Sequence, residues 1–205
     1  MSGLHQAAWP IRIRSIRRVE PEWIERTMAD ALGVAVSEVI LGRNAHGRPE
    51  IVRPATDLRF SISHSGGTTL VALGSGADVG VDVERLNRPI LQWALWPHVL
   101  TAAEMSRLPL APAARRASLL ALWVGKEAIL KAAGVGLAVD PRHIELDESR
   151  RLVSLPHSFG SPADWSLSYL DHICGCVGAV ACRSPGIELE IEHRSGSKSR
   201  RSRVG

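Results

Sequence analysis

The segment that most clearly indicates the fold is LWVGKEAILKAAGVGL, residues Leu122–Leu137. Its apolar residues are spaced as in an amphipathic helix, and Gly134 is well placed to end that helix. Glu127 and Lys131 are four residues apart, so they lie on one helix face about one turn from each other. An isolated pair of this kind is usually a solvated ion pair worth about 0.3 kcal/mol. A functional interpretation therefore needs support from other segments.

A second segment, VGVDVE (Val79–Glu84), alternates valine with glycine and acidic residues. In a strand, this alternation points the valines to a core and places Asp82 and Glu84 together on the opposite face. One interpretation is an edge strand with a solvated outer side. The other is a metal site, because two carboxylates at i and i+2 repel each other and a divalent cation removes the repulsion. Oxygen ligands of this kind favour Mg²⁺.

A third segment, LRFSISHSGG (Leu58–Gly67), is predicted to be a strand that leads into a hydroxyl-rich turn. Ser63, His64 and Ser65 supply hydrogen-bond donors where two glycines let the backbone approach a ligand. A plain turn and a serine nucleophile are the alternatives. The nucleophile is disfavoured because the sequence has no Gly-x-Ser-x-Gly elbow and adjacent strand residues point apart. We predict an anion pocket, in which a phosphate would favour the cationic form of His64.

The fourth segment, GRNAHGRP (Gly42–Pro49), is a predicted turn with two cationic side chains. In this order, the four segments resemble the surfactin-type phosphopantetheinyl transferases, which move the 4′-phosphopantetheine arm of coenzyme A onto a serine of a carrier protein. The resemblance covers roughly residues 40 to 140 and is carried by Gly47–Pro49, Phe60–Ser65, Gly80–Glu84 and Trp123–Leu137. A capping box at Thr101–Glu104 adds support, since it should open the preceding helix as in the family.

The resemblance implies a metal and catalytic role for five residues. Asp82, Glu84 and Glu127 match the family's ligands of Mg²⁺, with Mn²⁺ as an alternative metal. Glu127 also matches the group that removes, directly or through a water, the proton of the attacking carrier serine. Lys131 and Lys126 match positions near the pyrophosphate, with Lys126 the weaker match.

The resemblance also implies contacts to coenzyme A from Arg48, Pro49, Ser63 and His64. Ser63 and His64 match residues that hold the nucleotide, with His64 at the 3′-phosphate. Arg48 and Pro49 match the adenine-side loop, where arginine replaces the more familiar lysine.

In the family, basic residues of the first subdomain also hold the 3′-phosphate. The candidates here are Arg12, Arg14, Arg17, Arg18 and Arg26. Counting back from the Gly-Arg-Pro motif favours Arg17 or Arg18, and we take Arg17 as the predicted contact. Arg12 and Arg14 are better explained as the exposed face of an alternating strand.

The fold class expected is α+β, with two similar α/β subdomains. A helix followed by strands occurs twice, with a natural boundary at Gly74–Ala77. The resemblance implies that a pseudo-two-fold axis relates the halves and that coenzyme A binds in the cleft between them. The predicted strands lie at 11–16, 39–41, 50–53, 58–63, 69–74, 79–84, 144–146, 152–154, 165–170 and 173–181, and the helices at 21–32, 90–98, 101–108 and 113–133. The predicted domains are 1–76, 77–193 with the metal site and catalytic helix, and a basic disordered tail at 194–205.

The expected function is transfer of 4′-phosphopantetheine from coenzyme A to an apo acyl or peptidyl carrier protein, with release of 3′,5′-ADP. The formal net charge of +4 suits these anionic partners. We expect a cytoplasmic protein that does not bind a membrane, since no signal peptide or membrane-spanning run is evident. The two-half pattern favours a monomer, and the absence of stacking aromatic residues among the charges of the tail disfavours nucleic-acid binding. Two alternatives remain: a phosphohydrolase that uses the same carboxylates with water as nucleophile, and a binding module without activity. The pathway served, whether fatty-acid, polyketide or nonribosomal peptide synthesis, is not encoded in these motifs.

Overall fold

The computed structural model describes residues 11–17, 22–45, 47–88, 93–170, 173, 175–186, 188–195 and 198–204, and shows a mixed α+β fold. Its α-helices are α1 (Trp23–Leu32), α2 (Ala102–Ser106) and α3 (Pro112–Ala133). Short 3₁₀ segments occur at Val36–Glu38, Trp93–His98, Gly136–Ala138, Pro141–His143, His157–Phe159 and Pro162–Asp164. The α+β class predicted from the sequence is confirmed.

Twelve strands occur among the described residues, and they form two main sheets and two hairpins. They are β1 (Ile11–Arg17), β2 (Ile40–Arg43), β3 (Pro49–Arg53), β4 (Leu58–Ser65), β5 (Thr68–Ser75), β6 (Val79–Arg85), β7 (Glu145–Leu146), β8 (Leu152–Ser154), β9 (Ser166–Leu170), β10 (Cys176–Cys182), β11 (Leu189–Ser195) and β12 (Lys198–Val204). The first sheet has the order β12-β11-β1-β5-β4, and the second has the order β6-β10-β9. Strands β2 and β3 form one hairpin, and β7 and β8 form the other.

The long helix α3 has the ends that its sequence predicts. Pro112 occupies its first turn, where a missing N–H costs nothing. Gly134 ends it in the left-handed conformation, with φ of 71°, and its N–H donates to the carbonyl oxygens of Leu130 and Lys131. The capping box before α2 is also present, because Thr101 and Glu104 exchange side chain to backbone hydrogen bonds.

The hydrophobic core has three parts, which place the helices on the outer faces of the two sheets. Helix α1 packs on one face of the first sheet, in a cluster that contains Trp23 of the helix and Phe60 of β4. The opposite face packs against the valines of β6 in the second sheet. Helix α3 covers the far side of the second sheet, in a cluster with Ile129 and Ala179. The valines of β6 therefore point to a core while Asp82 lies on the face toward α3, as predicted.

The C-terminal residues form a strand pair. Strand β12 occupies residues 198–204, within the range that we predicted as a disordered tail, and β11 joins the sheet of the N-terminal strands by pairing parallel to β1. The prediction of disorder rested on the polar composition of residues 194–205. Every residue except proline carries a backbone donor and acceptor for strand pairing, so a polar composition alone does not exclude a strand.

Within the described residues, none of the helices combines the length and the apolar character needed to cross a membrane.

Candidate active site

Helix α3 and strand β6 are in close contact at Gly80. A Cβ atom at this position would lie 2.0 Å from the carbonyl oxygen of Ala128 and 2.4 Å from the amide nitrogen of Ala132. Only a residue without a side chain therefore allows this contact. The close approach brings the C-terminal half of α3 against the acidic face of β6.

One carboxylate oxygen of Asp82 is fully engaged and the other is not. Oδ1 accepts a hydrogen bond of 2.7 Å from the Ser63 hydroxyl and one of 2.7 Å from the Lys131 ammonium group. Oδ2 is buried and has no hydrogen-bond partner among the residues that the structure describes. Lys131 also donates to the carbonyl oxygen of Val81, at 3.2 Å. Its ion pair therefore crosses from helix to strand, rather than joining it to Glu127 one turn away.

Glu127 supplies a second unsatisfied carboxylate oxygen. Its Oε1 atom is buried and accepts no hydrogen bond within the described part of the chain. Burial is the main reason that the pKa of Glu127 rises from 4.5 to about 7, and the negative charge of Asp82 raises this pKa further. The positive charge of Lys131 lowers it in part. The two carboxylates are thus close enough to repel each other, and each keeps one buried oxygen without a partner.

These two oxygens fit a hard divalent cation. A cation would remove the repulsion between Asp82 and Glu127 and would bond to both oxygens. Mg²⁺ is commonly held by one or two carboxylates, while waters and substrate phosphates complete its coordination. The donor set therefore supports the predicted metal site, which stays a prediction.

Glu84 is placed differently from the other two predicted ligands. Its Oε2 atom accepts a 2.7 Å hydrogen bond from the Ser65 hydroxyl, and its Oε1 atom forms an ion pair with Arg88. No group of three or more Asp, Glu, His or Cys side chains is arranged to hold one metal ion in the described ranges. The structure therefore brings together two of the three predicted acids, and Glu84 would have to leave Arg88 to join them.

Lys126 does not lie where the sequence comparison predicted. Its side chain is fully buried, and its Nζ atom donates to Glu104 at 2.6 Å. Burial lowers the pKa of Lys126, and the hydrogen bond and charge of Glu104 oppose that shift. The side chain of Lys126 thus points into the core in this structure, and its predicted contact to the pyrophosphate stays a prediction. Adjacent helical residues point in different directions, so Lys126 and Glu127 do not share a face.

Arg48 and Pro49 line a pocket of about 260 Å³ between the β2–β3 hairpin and the starts of β4 and β6. The guanidinium group of Arg48 donates to the carbonyl oxygens of Ala132 and Val79, both at 3.2 Å, and pairs with Asp78 at 3.4 Å. The arginine thus ties the hairpin to the end of α3 and to β6. The pocket lies where the resemblance implies the adenine side of coenzyme A, and that assignment stays a prediction.

The N-terminal arginines divide into two groups. Arg12 pairs with Glu190 at 3.3 Å, and Arg14 pairs with Glu192 at 3.1 Å. These partners explain both residues as part of the first sheet, as the strand alternation suggested. The backbone of Arg17 ends β1, so its predicted contact to a phosphate remains untested. Arg18 lies outside the described residues, and His64 is exposed at the end of β4.

Sequence reasoning missed the role of three alternating serines on β4. The hydroxyl oxygens of these serines accept hydrogen bonds from the backbone amides of alternate residues in β6. Ser61 accepts from Val81, Ser63 from Val83 and Ser65 from Arg85. The hydroxyl of Ser63, predicted to hold a nucleotide, is instead buried between Asp82 and the backbone of β6. The pattern Ser-x-Ser-x-Ser on one strand face is the signal that could have identified this contact.

Comparison with known proteins identifies the superfamily of the chain. The family model described as the 4′-phosphopantetheinyl transferase superfamily (ACPS) matches residues 78–182, which are just over half of the chain and include β6 and α3. The chain belongs to this superfamily.

Individual relatives carry the same description. A putative 4′-phosphopantetheinyl transferase of Synechocystis sp. is 30% identical over 125 residues, which cover 60% of this chain and 50% of that protein. A 4′-phosphopantetheinyl transferase of Paxillus involutus is 27% identical over 154 residues, covering 64% of this chain and 57% of that protein. The match thus spans only 50% and 57% of the lengths of these two relatives.

A solved structure with a partial match is the holo-[acyl-carrier-protein] synthase of Thermotoga maritima. The match has a TM-score of 0.41 and 19% identity, and covers 58% of this chain and 70% of that chain.

Proposed function

We propose that this protein transfers the 4′-phosphopantetheine group of coenzyme A to a serine of an apo acyl or peptidyl carrier protein. The observation that carries the proposal is the meeting of Asp82, Glu127 and Lys131 between α3 and β6, in a chain that belongs to the phosphopantetheinyl transferase superfamily. Two carboxylates with unsatisfied oxygens beside an ammonium group are what phosphoryl transfer from a pyrophosphate requires.

In the proposed reaction, the serine oxygen of the carrier bonds to the β-phosphorus of coenzyme A. The bond from that phosphorus to the bridging oxygen breaks, and 3′,5′-ADP leaves with the negative charge. Glu127 accepts the serine proton, directly or through a water. Its pKa of about 7 suits a general base that works near neutral pH.

Lys131 supplies a positive charge beside the reacting groups. Its side chain is 28% exposed, so it can contact a ligand while it remains paired with Asp82. We assign it to the pyrophosphate oxygens, where charge increases as the leaving group departs. Asp82 and Glu127 would hold the Mg²⁺, which supplies further charge stabilisation to the pyrophosphate.

The finer assignment is to the surfactin type, with coenzyme A in a cleft between two halves related by a pseudo-two-fold axis. Four motifs in the family's order support it, as does the arrangement of one helix on each outer face of two packed sheets. The boundary near residues 76 and 77, the monomeric state and the cytoplasmic location belong to the same proposal. Arg17, Arg48, Pro49 and His64 are its predicted coenzyme A contacts.

Intact-mass spectrometry tests the activity. Incubation with coenzyme A, Mg²⁺ and a panel of apo carrier proteins should add one phosphopantetheinyl group, about 340 Da, to a carrier serine. The variant Glu127→Gln should slow the gain by about 10²-fold or more, because a general base typically contributes 10²- to 10⁴-fold.

Glu148→Gln is the matched control, since Glu148 is exposed and outside this site. It should transfer at the wild-type rate. The absence of a mass gain on every carrier of the panel would contradict the proposal. Hydrolysis of coenzyme A without a carrier would instead identify a phosphohydrolase.

A further inference from the structure

The three serines of β4 make one repeated contact with β6. Each hydroxyl oxygen accepts from the amide nitrogen of the residue twenty positions later: Ser61 from Val81 at 3.1 Å, Ser63 from Val83 at 3.3 Å, and Ser65 from Arg85 at 3.2 Å. Strand β6 pairs with β10 along its other edge. Strands β4 and β6 are edge strands of different sheets and do not pair through their backbones. The serine side chains of β4 make the hydrogen bonds to β6 instead.

The hydroxyl protons of two of these serines go to acidic side chains. Ser63 donates to Asp82 and Ser65 donates to Glu84, both at 2.7 Å. The first serine, Ser61, has Gly80 at the equivalent position, so it has no acidic side chain to receive its proton. The chain therefore contains a natural comparison: the same backbone contact with a carboxylate and without one.

The Ser63 hydroxyl contacts Asp82, which is one of the two carboxylates proposed to bind the cation. Asp82 is buried, and its Oδ1 atom is held from two sides by Ser63 and Lys131. A carboxylate fixed at one oxygen cannot rotate freely, so the direction of Oδ2 is fixed as well. Removing a group that hydrogen-bonds to a metal-binding carboxylate and orients it typically lowers metal affinity or activity about 10- to 100-fold.

We propose that Ser63 is a positioning residue: together with Lys131 it holds Oδ1 of Asp82 and thereby presents Oδ2 to a divalent cation shared with Glu127. The inference deepens the proposed function and rests on it for its catalytic meaning. The cation binding that it predicts can be measured without any transfer reaction. Ser65 holds Glu84 in the same manner, but Arg88 occupies the other oxygen of that carboxylate.

The test is a Mn²⁺ titration of the full chain followed by electron paramagnetic resonance, with and without coenzyme A. Ser63→Ala should weaken Mn²⁺ binding about 10- to 100-fold, the usual loss when an outer partner of a metal ligand is removed. Ser61→Ala removes the same type of backbone contact and should leave the affinity near that of the wild type. Ser63→Cys keeps the side-chain size with a weaker donor, and it replaces Ser63→Ala if that variant does not fold.

The outcomes separate the two proposals. Weaker Mn²⁺ binding in the Ser63 variants, with normal binding in Ser61→Ala, supports the positioning role even if no carrier is modified. Equal weakening in both would overturn it, because the effect would then come from the contact between strands. Wild-type affinity in a folded Ser63 variant, or no Mn²⁺ binding by the wild type, would also overturn it, whether or not carriers gain mass.

Discussion

Helix α3 carries two lysine–carboxylate pairs that differ in how completely they are satisfied. In the pair Lys126–Glu104, both side chains are fully buried and the nitrogen–oxygen distance is 2.6 Å. Lys126 also donates to two backbone carbonyl oxygens, and Glu104 accepts from two backbone amides: the partners are Val99, Pro141, Thr101 and Leu146. This network is closed, since the polar atoms of both side chains have partners.

The pair Lys131–Asp82 has nearly the same distance, 2.7 Å, but it is open. The Oδ2 atom of Asp82 and the nearby Oε1 atom of Glu127 are buried without partners among the described residues. A protein rarely leaves buried oxygens unsatisfied, so these two atoms are candidates for binding a ligand. All polar atoms of the closed pair are used within the fold, whereas the carboxylates at the open pair each keep one oxygen that a ligand could bind.

The largest expected effect is a loss of stability when one partner of the closed pair is removed. Lys126→Met removes the ammonium group and leaves Glu104 as an uncompensated buried charge. The free energy of unfolding should fall by about 3–5 kcal/mol, as is typical when one partner of a buried pair is lost. Urea denaturation of the purified variant measures this loss.

Lys131→Met is the matched control at the open pair. Because Lys131 is partly exposed and Asp82 keeps its bond to Ser63, the loss of stability should be smaller than in Lys126→Met, whereas transfer should nearly cease. A reversal of this order, with Lys131→Met the less stable variant, would show that the two pairs have been assigned to the wrong roles.

A smaller effect is expected from moving α3 away from β6. In Gly80→Ala, the new methyl group would overlap backbone atoms of Ala128 and Ala132, which cannot move independently of the helix. We expect a stability loss of about 1–3 kcal/mol, together with weaker Mn²⁺ binding, because the helix must shift. Calorimetric melting and the Mn²⁺ titration measure the two effects.

Gly125→Ala provides a comparison, because Gly125 lies on helix α3 itself. Its methyl group would lie 2.5 Å from the hydroxyl oxygen of Tyr169, so this side chain must shift and weaken its hydrogen bond to the carbonyl oxygen of Ala121. This variant should lose some stability and keep its Mn²⁺ affinity. If both glycine variants lost Mn²⁺ binding equally, the contact at Gly80 would not be the feature that sets the site.

A pH dependence of stability is also expected at the open pair. The pKa of Glu127 is raised from 4.5 to about 7, so folding favours its protonated form. This contribution to stability is fully present below about pH 4.5 and is lost as the pH rises through about 7. In the metal-free protein, the unfolding free energy should therefore fall over this range more in the wild type than in Glu127→Gln.

Urea denaturation in the presence of a chelator, at several pH values between about 4.5 and 8, checks the difference between the two proteins. Mg²⁺ should stabilise the wild type more at the upper end of this range, where Glu127 is ionised without a proton to displace. If the unfolding free energy of both proteins changed equally with pH, folding would not raise the pKa of Glu127.

Most elements of the fold follow from local sequence patterns. The helix ending at Gly134 and the strand with valines facing a core lie where periodicity predicts them, because these signals act over a few residues. The C-terminal strand pair was not predicted, because residues 198–204 lack the alternation of apolar residues that indicates a strand. The side chain of Lys126 was also misplaced, because its partner Glu104 lies 22 residues earlier in the chain.

The motifs were enough to predict the superfamily, the α+β class and the acids and lysine proposed for the site, because motifs record which chemical groups a reaction needs. How those groups are paired became visible only in the folded chain: Lys131 with Asp82, Lys126 with Glu104, and Ser63 with the carboxylate next to the predicted cation. The cause is distance. Hydrogen bonds and ion pairs form between atoms about 3 Å apart, and residues 19 to 49 positions apart in the chain reach that separation only after the sheets and α3 have packed.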